Sequence, residues 1–150
     1  MRMSSKQKTT SPQEKYQITL VPKLRFPEFG DSKEWTRKQL KEIAAPISDK
    51  ARQGEKNSIL RLSAEHGIIS QGELLENKVA AEHSERYLKV LRDDFIYSDT
   101  TTNASAHGTI KRLSKHSDGV VSPLYKCFRF HAEENPVFWE QYFESGIHQA

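Results

Sequence analysis

The stretch between Asp99 and Asp118, TTTNASAHGTIKRLSKHS, holds no acidic residue, yet it carries Lys111, Arg112, Lys115 and two histidines, His107 and His116. It also gathers short hydrogen-bonding side chains in Thr100, Thr101, Thr102, Asn103 and Ser105, just after Tyr97 and Ser98. Cations of this kind neutralise phosphates and release counterions. Short hydroxyl and amide groups reach base edges and phosphates at close range. Asn is suited to paired hydrogen bonds with adenine and Arg to paired hydrogen bonds with guanine. The same composition also suits an ordinary surface loop followed by a basic strand, and composition alone leaves both open.

The chain has no G-x-G-x-x-G, no G-x-x-x-x-G-K-[ST], no G-x-S-x-G and no H-E-x-x-H. Its histidines, at 66, 83, 107, 116, 131 and 148, show no metal-ligand spacing within one helical turn. The pair Asp93-Asp94 reads as a solvated turn ahead of a strand rather than a catalytic carboxylate pair. Cys127, the single cysteine, sits among aromatics and reads as a small core residue rather than a nucleophile. One cysteine makes no internal disulfide and no cysteine-based metal site.

The 150 residues suffice for one domain with a real core. No apolar run approaches the ~20 residues that span a bilayer. The first residues, MRMSSKQKTTSPQEKYQ, lack the apolar region of a signal peptide, so residues 1–19 are expected to be a disordered leader and the protein to be cytoplasmic. The net charge of +3 is uneven. Residues 1–50 carry 11 Lys and Arg against 6 Asp and Glu, whereas residues 51–100 carry 7 against 9. The surplus permits a nucleic-acid partner without requiring one.

The elements that must position these residues follow from pattern. VPKLRFPEFG at 21–30 predicts an extended, polyproline-like segment docking Leu24, Phe26 and Phe29. From Lys33 to Ala45 we expect a strand, then a short helix before Pro46, with Trp35, Leu40 and Ile43 inward. Residues 48–57 read as a polar loop. Strands are predicted at Ser58–Ser63, Ile68–Ser70, Tyr87–Leu91, Phe95–Tyr97, Thr109–Leu113 and Tyr125–Phe130, with turns at His66-Gly67, Asp93-Asp94 and Ser117-Asp118-Gly119. Residues 72–86 are ambiguous. In the last strand Tyr125, Cys127 and Arg129 alternate against Lys126, Phe128 and Phe130. A helix begins after the cap Asn135 with Pro136 in its first turn and stops at Gly146. Along it Phe138 and Tyr142 share one face, and Trp139 and Phe143 another. The class is α+β, a mixed and mainly antiparallel sheet with a few short helices.

Three stretches in order carry a resemblance. VPKLRFPEFGDSKEWTRKQLKEIA is similar to the opening of type I restriction–modification specificity subunits, with K-L-R-F-P-x-F, then Trp, then L-x-E-I-A. YLKVLRDDFIYSDTTTNASAHGTIKRLSKHSDGVVSPLYKCFRF resembles the centre of their target-recognition domains: D-F-x-Y, a variable polar segment, G-x-I-x-R-L, then G-V-V-S-P-L-Y and an aromatic strand. NPVFWEQYFESG resembles the helix that follows. Ser98 stands where many relatives carry Asn.

The resemblance implies that residues 20–150 are part of the first target-recognition domain. The long conserved helix and the second recognition domain of the family are expected to be missing from this chain. It implies a non-catalytic role, reading double-stranded DNA through Tyr97, Ser98, Thr100, Thr101, Thr102, Asn103, Ser105, His107, Lys111, Arg112 and Lys115. The implied partners are methyltransferase subunits and, through them, the restriction motor-nuclease, with no membrane. S-adenosylmethionine, ATP and Mg²⁺ belong to those partners, so no cofactor is expected here. The alternative is a truncated or decoy specificity fragment that binds DNA or partner subunits without supporting modification; a small nuclease is a more distant option.

Overall fold

The computed structural model describes residues 21–52, 58–70, 86–101 and 106–149. The chain divides into two compact units, 1–39 and 40–150. In the described part of the first, Pro27–Phe29 forms a 3-10 turn. The Arg25 guanidinium donates to the carbonyls of Phe29, Ser32 and Lys33. The turn interrupts the extended segment expected at 21–30, while Phe26 just before it keeps an extended backbone at φ −63°, ψ 148°. Proline fits the first position of a helical turn, and the arginine holds carbonyls that a polyproline conformation would leave to water. Leu24, Phe26, Phe29 and Trp35 are exposed.

The second unit is α+β: two four-stranded sheets with a few short helices, the class its pattern predicts. A single-turn helix α1 (Leu40–Ile43) runs directly into strand β1 (Ala44–Pro46). The order is the reverse of that expected, helix first and strand second. The determinant is non-local: β1 is selected by pairing with the aromatic strand, Ala44 opposite Phe130 and Pro46 opposite Phe128. Pro46 is tolerated because β1 lies at the sheet edge. Ile43 is buried as expected, whereas Leu40 is partly exposed.

The remaining strands are β2 (Ile59–Ser63), β3 (Gly67–Ser70), β4 (Leu88–Leu91), β5 (Phe95–Ser98), β6 (Thr109–Arg112), β7 (Asp118–Val121) and β8 (Lys126–Phe130). One sheet has the order β1-β8-β5-β6 and is antiparallel throughout. The other has the order β3-β2-β7-β4, in which β2 and β7 run parallel. His66-Gly67 turns β2 into β3 as predicted, with Gly67 in the left-handed region at φ 74°.

Ser117-Asp118-Gly119 departs from its expected turn, since Asp118 and Gly119 begin β7. Gly119 is needed there for space: a Cβ would lie 2.7 Å from Leu60 Cγ and 3.0 Å from the Ser58 carbonyl. The glycine therefore marks close approach of two strands, a use the residue shares with turns.

Leu60, Ile68, Val90 and Val121 from the second sheet meet Ile96 and Cys127 from the first, and Leu113 just after β6, in one buried cluster. The opposite face of the first sheet buries Phe95 and Phe130 with Ile43 and Ala44, and helix α2 (Pro136–Glu144) lays Trp139 and Phe143 on it. Trp139 stacks on Phe130 at 5.0 Å, and Phe95 meets Phe143 edge-on at 5.7 Å. The helix forms as its sequence predicts. Asn135 accepts from the N–H groups of Val137 and Phe138, Pro136 opens the first turn, and Gly146 at φ 73° ends it. Its Phe138–Tyr142 side is less engaged, with Phe138 40% exposed.

Asp93-Asp94 is a turn, but only half of the solvated reading holds. Asp93 takes the left-handed conformation, φ 73°. Asp94 is wholly buried. Its carboxylate accepts from Arg129 Nε at 2.6 Å, from Arg129 Nη2 at 2.9 Å and from the Leu91 N–H at 2.6 Å. A buried charge persists only when paired and hydrogen-bonded in this way. Cys127 is a core residue, as expected; burial first and the Asp94 charge second push its thiol up to about 12.

Candidate nucleic-acid interface

Strands β5 and β6 form a hairpin, with Tyr97 opposite Ile110 and Ser98 opposite Thr109. The acid-free segment singled out above is largely the connection and returning strand of this hairpin. Gly108 closes the connection at φ 83°, and a Cβ there would sit 3.0 Å from the Tyr97 ring and strike the Ser98 carbonyl. Only glycine lets the returning chain lie this close to Tyr97.

Beside the hairpin lies a cleft of about 720 Å³. Tyr97, Ile110, Phe128 and Phe143 contribute its apolar surface, and His107, Lys111, Lys126 and His148 bring cationic or protonatable groups to the same space. The register explains the grouping. Lys126, Tyr97 and Ile110 stand in one row across β8, β5 and β6, next to the row of Phe128 and Phe95.

Each lysine already has a carboxylate. Lys126 Nζ lies 3.0 Å from Asp99 Oδ2 and 5.7 Å from the Tyr97 ring centroid. The lysine, through its hydrogen bond first and its charge second, holds the Asp99 carboxyl below the usual range. Lys111 Nζ lies 3.1 Å from Glu144 Oε1 on α2. Burial first and His107 second lower the His148 pKa. The His148 ring rests against Phe143 at 5.3 Å.

The expected DNA-contacting residues separate into groups. Tyr97, His107 and Lys111 come together at the cleft. Ser98 is half-buried and its Oγ accepts from the Thr100 N–H at 3.3 Å, while Thr100 and Thr101 are exposed beyond it. Thr102, Asn103 and Ser105 lie outside the described residues. Lys115 is exposed in the segment that follows β6.

Arg112 has a different task from the base reader its type suggested. Its Nη1 donates to Asp93 Oδ1 at 2.5 Å, and its Nε and Nη2 donate to Glu140 Oε2 at 3.0 and 2.7 Å. Its side chain is 15% exposed. Glu140 foremost, then Asp93, raise its pKa against the opposing effect of burial. The residue ties β6 to α2 and to the Asp93 turn, so its donors face inward.

Sequence reasoning passed over Lys126 and His148. The alternation in Tyr125–Phe130 did place Lys126 on the face of Phe128 and Phe130, which was the available signal. His148 follows the helix stop, and no local pattern ties it to the hairpin. Among the described residues no group of three or more His, Cys, Asp or Glu could hold a metal ion, and no helix is long and apolar enough to cross a membrane. Comparison with models of known protein families, with curated proteins and with solved structures finds no match to this chain.

Proposed function

We propose that this chain is a cytoplasmic, non-catalytic DNA-specificity module, part of one half of the recognition apparatus of a type I restriction–modification system. It would bind double-stranded DNA and act with methyltransferase subunits and, through them, a restriction motor-nuclease. The observation that carries the proposal is the β5–β6 hairpin. It presents a run without acids from Thr100 onward, with His107 and Lys111 beside Tyr97 and with Lys115 exposed beyond the returning strand. Phosphate contacts from the lysines would set position, and the short polar side chains of the connection would meet base edges. Arg112 is left out of the contact surface, because Glu140 and Asp93 hold its guanidinium.

The test is an electrophoretic mobility shift with duplex DNA, performed with the chain assembled on a type I methyltransferase and with the chain alone. Lys111→Ala and Lys115→Ala should each weaken binding to all sequences and flatten the salt dependence by about one unit of slope. Unchanged affinity and slope in both variants of the assembled complex would remove the hairpin from the DNA face.

A further inference from the structure

We infer that the cleft beside Tyr97 is a binding site for a small aromatic monophosphate of nucleotide size. Its volume of about 720 Å³ falls in the range of small-molecule sites, which pair an apolar lining with a few convergent polar groups. Both halves of that description are met. Tyr97, Phe128 and Phe143 offer ring surface for a planar body. Lys111, Lys126 and His107 supply donors for a phosphate from the adjoining strands and the hairpin connection.

The existing ion pairs do not close the site. Lys126 and Asp99 are 68% and 65% exposed at their side chains. An exposed pair of this kind contributes little and exchanges readily for another anion. Lys111 neutralises Glu144, the carboxylate that would otherwise repel a phosphate from the α2 side. The charged and titratable groups that share the cleft with His148 are Tyr97, His107, Lys111, Glu144 and Lys126, and the rings of Tyr142 and Phe143 pack on it. A phosphate among them would favour the protonated form of His148, which burial first and the neighbouring His107 second now disfavour. Binding then takes up protons, so affinity rises as pH falls through the histidine range.

The inference does not rest on the DNA reading. Its ligand can be a free nucleotide or one nucleotide of a strand, and the experiment separates these. Calorimetric titration of the full chain with adenosine 5′-monophosphate, adenosine and inorganic phosphate is the direct measurement. The monophosphate should bind at least about tenfold more tightly than either part, a margin of ~1.4 kcal/mol. Affinity should be several-fold higher at about pH 5.5 than at about pH 7.5. Lys126→Gln and His107→Ala, both at exposed positions, should each weaken the monophosphate about tenfold, a loss of ~1.4 kcal/mol, with the melting temperature unchanged.

Absence of monophosphate binding, equal binding of adenosine, or wild-type affinity in both variants would overturn the inference. Displacement of the monophosphate by a duplex oligonucleotide supports the site and assigns it to a strand nucleotide; persistence supports it as a site for the free molecule. If the monophosphate binds while the assembled complex fails to shift DNA, the DNA proposal fails and the cleft stands.

Discussion

Removing either partner of the buried Asp94–Arg129 pair should destabilise the protein, and the two removals should be unequal. The Asp94 carboxylate has no exposed surface and accepts three hydrogen bonds, two from Arg129 and one from the Leu91 N–H. Arg129→Met leaves a buried anion with one backbone donor. Stranding a buried charge in this way costs about 3–5 kcal/mol. Asp94→Asn leaves an uncharged amide whose oxygen can still accept from Leu91. Arg129, 46% exposed at its side chain, can turn to water, so the cost falls to about 1–3 kcal/mol, that of the charge-assisted hydrogen bonds.

The larger figure is a substantial fraction of the roughly 5–15 kcal/mol by which domains are stable. It corresponds to a fall of order 10 °C in melting temperature for a domain of this size. Urea unfolding of both single variants and of the Asp94→Asn, Arg129→Met double variant measures each cost and their coupling. The double variant should be less destabilised than Arg129→Met alone, because the stranded charge is gone. An Arg129→Met cost within about 0.5 kcal/mol, as at an ordinary surface position, would refute the reasoning.

Trp139→Ala removes the ring stacked on Phe130 and the indole N–H bond to Glu134, and should cost about 3 kcal/mol or more; Phe138→Ala, on the exposed side of α2, should cost about 1 kcal/mol or less. Thermal or urea melts decide it, and equal losses would mean that the two faces of the helix are wrongly distinguished. Cys127, its thiol pushed up to about 12 and buried between the sheets, should resist alkylation in the native protein at about pH 8 and react fully once unfolded; rapid native labelling would contradict its place in the core.

Much of the local architecture was legible because its causes are local. Asn135, Pro136 and Gly146 supply the start and stop of α2 within a few residues of the bonds they make. His66-Gly67 turns one strand into the next, and the alternation in Tyr125–Phe130 sorts Lys126, Phe128 and Phe130 from Cys127 and Arg129, because a strand sends successive side chains to opposite faces.

Tertiary contacts decided the rest. Ala44–Pro46 is a strand because Phe128–Phe130 lies beside it, and Asp118-Gly119 belongs to a strand because it pairs with Val90-Leu91, the missing side chain at Gly119 leaving room for Leu60. The inner position of Asp94 depends on Arg129, 35 residues away, and the inward engagement of Arg112 depends on Glu140, 28 residues away. For the candidate site, sequence alone marked the acid-free run and the Tyr97 strand that precedes it. That Lys126 and His148 join His107 and Lys111 around one cleft, while Arg112 turns away from it, is set by strand register and by where α2 ends. Those are properties of pairings distant in the chain, and no window of neighbouring residues encodes them.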